Sequence, residues 1–227
     1  MIVYGKQIVF YILDKYPQLI QEIYLTKDID KKVFKKFMDI GVKIIRPDNK
    51  KAQALARGGN HQGFLLRINE FQYTPIEQLK EQEFLVVLDG LTDIGNIGAI
   101  VRTSYALGVD GIVIAGLKNP LAAPIIRTSS GTMLDMDIAL VKNSFDLANE
   151  LKQKGFSLVG ADATGYDIKT VSRDKKQKIA LFLGNEGSGL TKRLIKKLDL
   201  KVAIPMEHDF DSLNVSVAAG ILIHSLK

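Results

Sequence analysis

The 227-residue chain contains no cysteine. That excludes disulfide staples and thiolate metal sites, and it makes a reducing compartment, the cytoplasm, the expected location. A long hydrophobic run is also missing. The longest early one, Ile8 to Leu13, is too short for a signal-peptide core or a membrane span. Internal repeats and low-complexity tracts are absent, and with 46% hydrophobic residues the chain can build a core without staples. What the chain has in excess is positive charge, and only in one place. Residues 1–70 hold 13 Lys and Arg against 7 Asp and Glu, whereas residues 71–227 hold 18 of each. A basic module joined to a neutral one predicts that the first engages a polyanion, most commonly nucleic acid.

Within the first seventy residues, helical and strand patterns alternate. Gly5 to Tyr16 is amphipathic, and Glu22 to Thr26 reads as a strand. In Lys31 to Asp39, Val33, Phe34, Phe37 and Met38 fall at helical spacing with lysines opposite. Val42 to Arg46 and Gly63 to Ile68 read as further strands. Residues 1–70 are therefore a small α/β domain. Its loop Arg57-Gly58-Gly59-Asn60-His61-Gln62-Gly63 carries side chains able to meet RNA bases or phosphates. Residues 71–83 are polar, contain Pro75 and read as a linker.

From 84 to 227 the strands become purely apolar: FLVVLD (84–89), GIVIAG (111–116), FSLVGAD (156–162), IALFLG (179–184) and KVAIP (201–205). Helical segments near 96–107, 143–154, 190–197 and 213–226 lie between or after them. Short apolar strands alternating with helices predict a parallel sheet covered on both faces, with ligands bound outside the carboxyl ends of its strands.

Three such ends carry unusual residues. After the first strand comes Asp89-Gly90-Leu91-Thr92-Asp93-Ile94-Gly95-Asn96-Ile97-Gly98, followed by Arg102. The glycine spacing and the lack of an acid closing the next strand make a poor fit to a dinucleotide fingerprint. After the fourth comes Gly184-Asn185-Glu186-Gly187-Ser188-Gly189, a turn around one carboxylate in which glycines permit close ligand approach. After the fifth, Ile204-Pro205-Met206 leads through Glu207, His208, Asp209 and Asp211 to Ser212, Asn214 and Ser216, set at alternate positions ahead of an apolar helix. Ser212 and Asn214 suit a helix N-cap.

Taken together, N-x-G-x-x-x-R-T (96–103), L-G-N-E-G-x-G (183–189) and I-P-M…S-L-N-V-S-V-A (204–218) resemble, in order and spacing, the three signature motifs of the SpoU family of RNA ribose 2′-O-methyltransferases. The first seventy residues, with Tyr4-Gly5 and His61-Gln62-Gly63, are similar to the ribosomal-protein-like substrate domain of the subgroup that methylates a guanosine of large-subunit ribosomal RNA. The resemblance implies a trefoil-knotted, parallel-sheet α/β domain, a homodimer, and S-adenosylmethionine as methyl donor with no metal. It implies cofactor contacts from Gly184, Ile204 and Leu213, with Leu183, Gly187 and Met206 nearby. Arg102 would be the catalytic residue beside the ribose, and Asn96, Glu186, Ser212 and Asn214 would position it and the substrate. Transfer RNA is the alternative substrate, and a non-catalytic RNA-binding protein is the rival class. Two departures stand out: Ile94 and Gly95 replace the usual proline and basic or polar residue before Asn96, and the loop before Ser212 is acidic.

Overall fold

The computed structural model describes residues 1–117, 122–172, 174, 176–185, 187–208 and 212–227. The chain forms two compact units, Met1–Gln72 with Leu121–Leu134 and Tyr73–Pro120 with Asp135–Lys227.

The first unit contains β1 (Ile2–Tyr4), α1 (Lys6–Lys15), β2 (Ile20–Leu25), α2 (Lys31–Met38), β3 (Lys43–Ile45), α3 (Asn49–Leu55) and β4 (Phe64–Ile68). The strands lie in the order β1-β4-β2-β3, with β4 antiparallel to both neighbours and β2 parallel to β3. Side chains alternate along β4, so both faces of the sheet carry core. On one face Phe64 packs against Phe10 and Phe37, with ring centroids 5.5 and 6.2 Å away. On the other, Leu65 joins Tyr24, Ala52 and Ala56 beneath α3. Asp30 and Asp48 cap α2 and α3 by accepting from the backbone N–H of Lys32 and Lys51; each such cap contributes about 1 kcal/mol. Beside the second face, the Tyr24 hydroxyl and the Arg67 guanidinium both donate to Glu22 and hold its carboxyl below the usual carboxylate range. Strand β1 lies outside the predicted strands, because three residues are too few to show an alternation.

The second unit contains α4 (Ile76–Leu79), β5 (Phe84–Asp89), α5 (Ile94–Ala106) and β6 (Gly111–Ala115). The chain then supplies α6 (Ala122–Thr128), which belongs to the first unit. It returns as β7 (Asp137–Val141), α7 (Ser144–Gln153), β8 (Phe156–Asp167), β9 (Lys178–Gly184), α8 (Lys192–Ile195), β10 (Leu200–Ala203) and α9 (Val215–Leu226). The six strands lie in the order β10-β8-β9-β5-β6-β7, and every pair is parallel. β5, β6 and β9 are apolar at every position but Asp89 and Lys178, at the ends of β5 and β9, because both of their faces are covered. Leu85, Val87, Val113, Ala180 and Phe182 pack with residues of α4, α7 and α8 on one side. α5 and α9 pack on each other.

Three features differ from the sequence pattern. The stretch 71–83, read as a linker, holds α4, whose Leu79 is fully buried in the core; one apolar turn in a polar segment leaves no periodicity to detect. β7 is an additional strand, five residues at the edge of the sheet. Residues 121–134 fall to the first unit rather than to the 84–227 domain, a return that no local composition signals.

Candidate active site

The cleft forms at the carboxyl ends of β9 and β10 and beside the middle of β8. β9 ends on Gly184, and a Cβ there would sit 2.3 Å from the Gly189 carbonyl carbon. Only glycine allows the following turn to fold back that closely. The fold-back is held by Gly189 N–H donating to the Asn185 carbonyl at 2.8 Å and Gly187 N–H donating to Asn185 Oδ1 at 2.9 Å. Asn185 Nδ2 donates to the Gly90 carbonyl at 3.2 Å, which ties this turn to the tip of β5.

β10 pairs with β8 through a break in register. Lys201 faces Gly160, but Val202 faces Tyr166, so Ala161–Gly165 have no partner on β10. Gly165 closes this excursion; a Cβ on it would lie 2.6 Å from the Lys201 and Val202 backbone. The excursion carries Asp162 to the cleft. Thr164 donates to Asp162 Oδ1 from its backbone N–H at 2.8 Å and its hydroxyl at 2.6 Å. These bonds, the hydroxyl first, hold the carboxyl below its ordinary range against the opposing effect of partial burial. Lys201 Nζ reaches the same hydroxyl at 2.9 Å.

The cavity enclosed by these turns measures about 530 Å³. Gly184, Ile204 and Leu213 all line it, as do Leu183, Met206, Ser212 and Asn214. The stretches after 183 and after 203 thus meet at one place, while the stretch 89–103 contributes nothing to the lining, and the walls are mostly apolar side chains and backbone. Gly187 sits in the adjoining turn and does not line the cavity. Asn96 and Arg102 do not line it either. Asn96 lies in the first turn of α5, whose N-cap Asp93 accepts its backbone N–H at 2.7 Å. Asn214 is the N-cap of α9; its Oδ1 accepts the Ser216 N–H at 2.9 Å, and its Nδ2 donates to Asn96 Oδ1 at 3.0 Å. Arg102 is exposed farther along α5. Glu186, Asp209 and Asp211 lie outside the described residues. Asp162 and Asn185 are polar lining residues to which the motif reading gave no role. The run Ala161-Asp162-Ala163-Thr164-Gly165, small and polar where an apolar strand should simply end, is the signal that could have found the first. No group of three His, Asp or Glu positioned to hold a metal occurs among the described residues.

A parallel sheet whose strand-tip turns enclose a single cleft of this size defines a class: an α/β protein that holds a nucleotide-sized ligand at the carboxyl edge of its sheet. Residues 83–224 match the SpoU rRNA Methylase family, and residues 2–74 match the family described as RNA 2′-O ribose methyltransferase substrate binding. The chain belongs to the SpoU methylase family. It is 34% identical over 200 residues to an uncharacterized tRNA/rRNA methyltransferase of Borreliella burgdorferi, covering 82% of this chain and 87% of that one. The fold is shared with the S-adenosylmethionine-bound rRNA methyltransferase of Sinorhizobium meliloti (TM-score 0.79, 26% identity, 99% of this chain and 85% of that one). It is shared equally with the SpoU methyltransferase AviRb of Streptomyces viridochromogenes in complex with the same cofactor (TM-score 0.79, 22% identity, 99% and 88%). The return of α9 from β10, at the sheet edge, to pack against α5 fits the knotted fold of that family.

Proposed function

We propose that this protein transfers a methyl group from S-adenosylmethionine to a ribose 2′-hydroxyl of RNA, with a guanosine of large-subunit ribosomal RNA in the cytoplasm as its substrate. The observation that carries the reading is the convergence of Gly184, Ile204 and Leu213 on one cavity. The residues fit the cofactor. Gly184 leaves the backbone open to close approach, the apolar walls suit a purine and a thioether chain, and the Asp162 carboxylate offers an acceptor to hydroxyl or ammonium groups. Bound there, S-adenosylmethionine supplies a methyl group already activated by a sulfonium.

The chain must then align the ribose oxygen and help remove its proton. Alignment contributes roughly 7–11 kcal/mol. General-base help contributes about 10²–10⁴-fold, or roughly 3–5 kcal/mol, so positioning dominates. A guanidinium, with a pKa above about 12, is a weak proton acceptor. Arg102 therefore acts chiefly as a clamp on phosphate and ribose, and the Asn96–Asn214 bond sets the helix that carries it.

A homodimer supports this role. Val217 and Ile221 on α9 and Tyr105 on α5 are 52%, 37% and 38% exposed, large apolar side chains left uncovered on two packed helices, of which α5 carries Arg102. A second copy covering these side chains would bring Arg102 toward its partner's cleft. The match of residues 2–74 to a substrate-binding family, together with the basic excess of residues 1–70, supports RNA as the substrate and its capture by the amino-terminal domain.

The test is incubation with methyl-labelled S-adenosylmethionine and either ribosomal or transfer RNA. Label at a 2′-oxygen of ribosomal RNA is expected. Label in transfer RNA alone would move the substrate assignment, and tight RNA binding without label would make the protein a non-catalytic binder.

A further inference from the structure

The amino-terminal unit holds a second cleft of about 500 Å³, bounded by β1, the end of α3 and α6. Its walls combine apolar surface from Leu55 and Pro124 with the cations of Arg57 and Arg127. Glu70 also lines it, but its carboxylate pairs with the amino-terminal ammonium at 2.8 Å. The two guanidinium groups therefore set the sign of the cleft. Arg127 lies over the Tyr4 ring, 5.4 Å from guanidinium carbon to centroid. Tyr4 is itself seated by the loop 57–63: a Cβ on Gly59 would fall 2.0 Å from the Tyr4 hydroxyl. That loop is bent throughout, with left-handed φ at Arg57 (49°), Gly58 (80°), Gln62 (52°) and Gly63 (87°). Non-glycine residues in that conformation each cost about 1–3 kcal/mol, so the fold holds Arg57 at the cleft at an energetic cost.

A site for phosphate alone needs cations but no apolar wall, and a site for an apolar ligand needs no guanidinium pair. Single-stranded RNA requires both, because splayed bases stack on aromatic or guanidinium planes while their phosphates seek cations. We propose that this cleft is a subsite for one unstacked nucleotide of the RNA substrate, its base against Arg127 and Tyr4 and its phosphate toward Arg57. The proposal rests on the reading that RNA is the substrate. It locates part of the recognition in α6, a segment contributed from beyond the first 74 residues.

The test uses the full-length protein and large-subunit ribosomal RNA fragments carrying 4-thiouridine, cross-linked by light and mapped by mass spectrometry. Cross-links in peptides spanning 1–4, 55–59 or 122–127 are expected. In parallel, Arg127→Ala should weaken RNA binding about ten-fold, within the span of a lost stacking partner, while the Kd for S-adenosylmethionine changes less than two-fold. Gly59→Ala, which displaces Tyr4 without removing a charge, should weaken RNA binding similarly. Cross-links confined to other surfaces, or RNA affinity unchanged in both variants with their melting temperatures intact, would overturn the subsite. RNA binding without methyl transfer by the wild-type protein would refute the enzymatic reading instead, and the cross-links would still decide the cleft.

Discussion

Asn214 donates its side-chain amide to Asn96 across 118 positions of sequence, at 3.0 Å, and in doing so joins the amino-terminal ends of α5 and α9. The same side chain caps α9 by accepting from Ser216. Two duties meet in one residue, and they can be separated. Asn214→Ala should cost about 2 kcal/mol, roughly 1 from the cap and roughly 1 from the bond between helices. Asn214→Ser, which can cap but cannot reach Asn96, should recover about half. Urea denaturation of both variants measures the split: equal stability of the two would show that the cap contributes nothing, and wild-type stability of Asn214→Ser would show that the bond to Asn96 contributes nothing.

Gly184→Ala places a methyl group against the backbone of Gly189 and Leu190. No rotamer relieves that overlap, so the turn must move, at about 1–3 kcal/mol. Cofactor affinity measured by calorimetry should fall at least ten-fold, with RNA binding through the amino-terminal domain retained. Unchanged cofactor affinity would remove this turn from the site.

Asp162 keeps Oδ1 on Thr164, while its Oδ2 has no hydrogen bond among the described residues. Asp162→Asn keeps the local shape and removes the charge. The KM for S-adenosylmethionine should rise several-fold, consistent with losing one charge-assisted hydrogen bond worth about 1.5–3 kcal/mol in part, and kcat should hold. Thr164→Val, which frees Oδ1 from the hydroxyl, should raise the carboxyl's pKa. A fall of kcat with unaltered KM in the Asn variant would count against a cofactor contact.

Arg102→Lys should lose most of the activity while binding the cofactor normally, because an ammonium cannot reproduce the planar fork of a guanidinium. A mixing experiment addresses the dimer. Arg102→Ala and Gly184→Ala proteins, each strongly impaired alone at limiting cofactor, should regain activity when unfolded and refolded together, since a mixed dimer pairs one intact cleft with one intact Arg102. Absence of any recovery, with mixed dimers present, would place Arg102 at its own subunit's cleft.

Lys80 is 7% exposed and pairs with Glu77 at 2.6 Å and Glu150 at 2.7 Å. Burial alone would lower its pKa, but the bonds to Glu150 and Glu77 prevail and raise it above 10.5. A raised folded-state pKa means that the stabilisation is fully present below the unfolded value and is lost as pH rises through the folded one. The melting temperature should therefore show no loss from this group up to about pH 10.5 and then fall. Lys80→Met should abolish that alkaline component. Its cost at neutral pH should be about 1–2 kcal/mol, below the roughly 3–5 of a fully buried pair, because Glu77 and Glu150 are 73% and 49% exposed and can hydrate.

The amino-acid sequence alone determined the parallel sheet, since strands such as Phe84–Asp89 and Lys178–Gly184 are apolar at nearly every position and must be covered on both faces. It also determined where the unusual strand ends lie, because the glycines and polar residues after 184 and 204 are local features of the chain. The tertiary structure decided which of those ends enclose one cavity, and it left Arg102 outside that lining. It decided that Asn96 meets Asn214, that Ala161–Gly165 swing out to bring Asp162 inward, and that α6 joins the first unit. The physical reason is the same in each case. Periodicity and turn chemistry act over a few residues, whereas strand order, register and helix packing are set by which distant surfaces bury one another, and no window of sequence contains both partners.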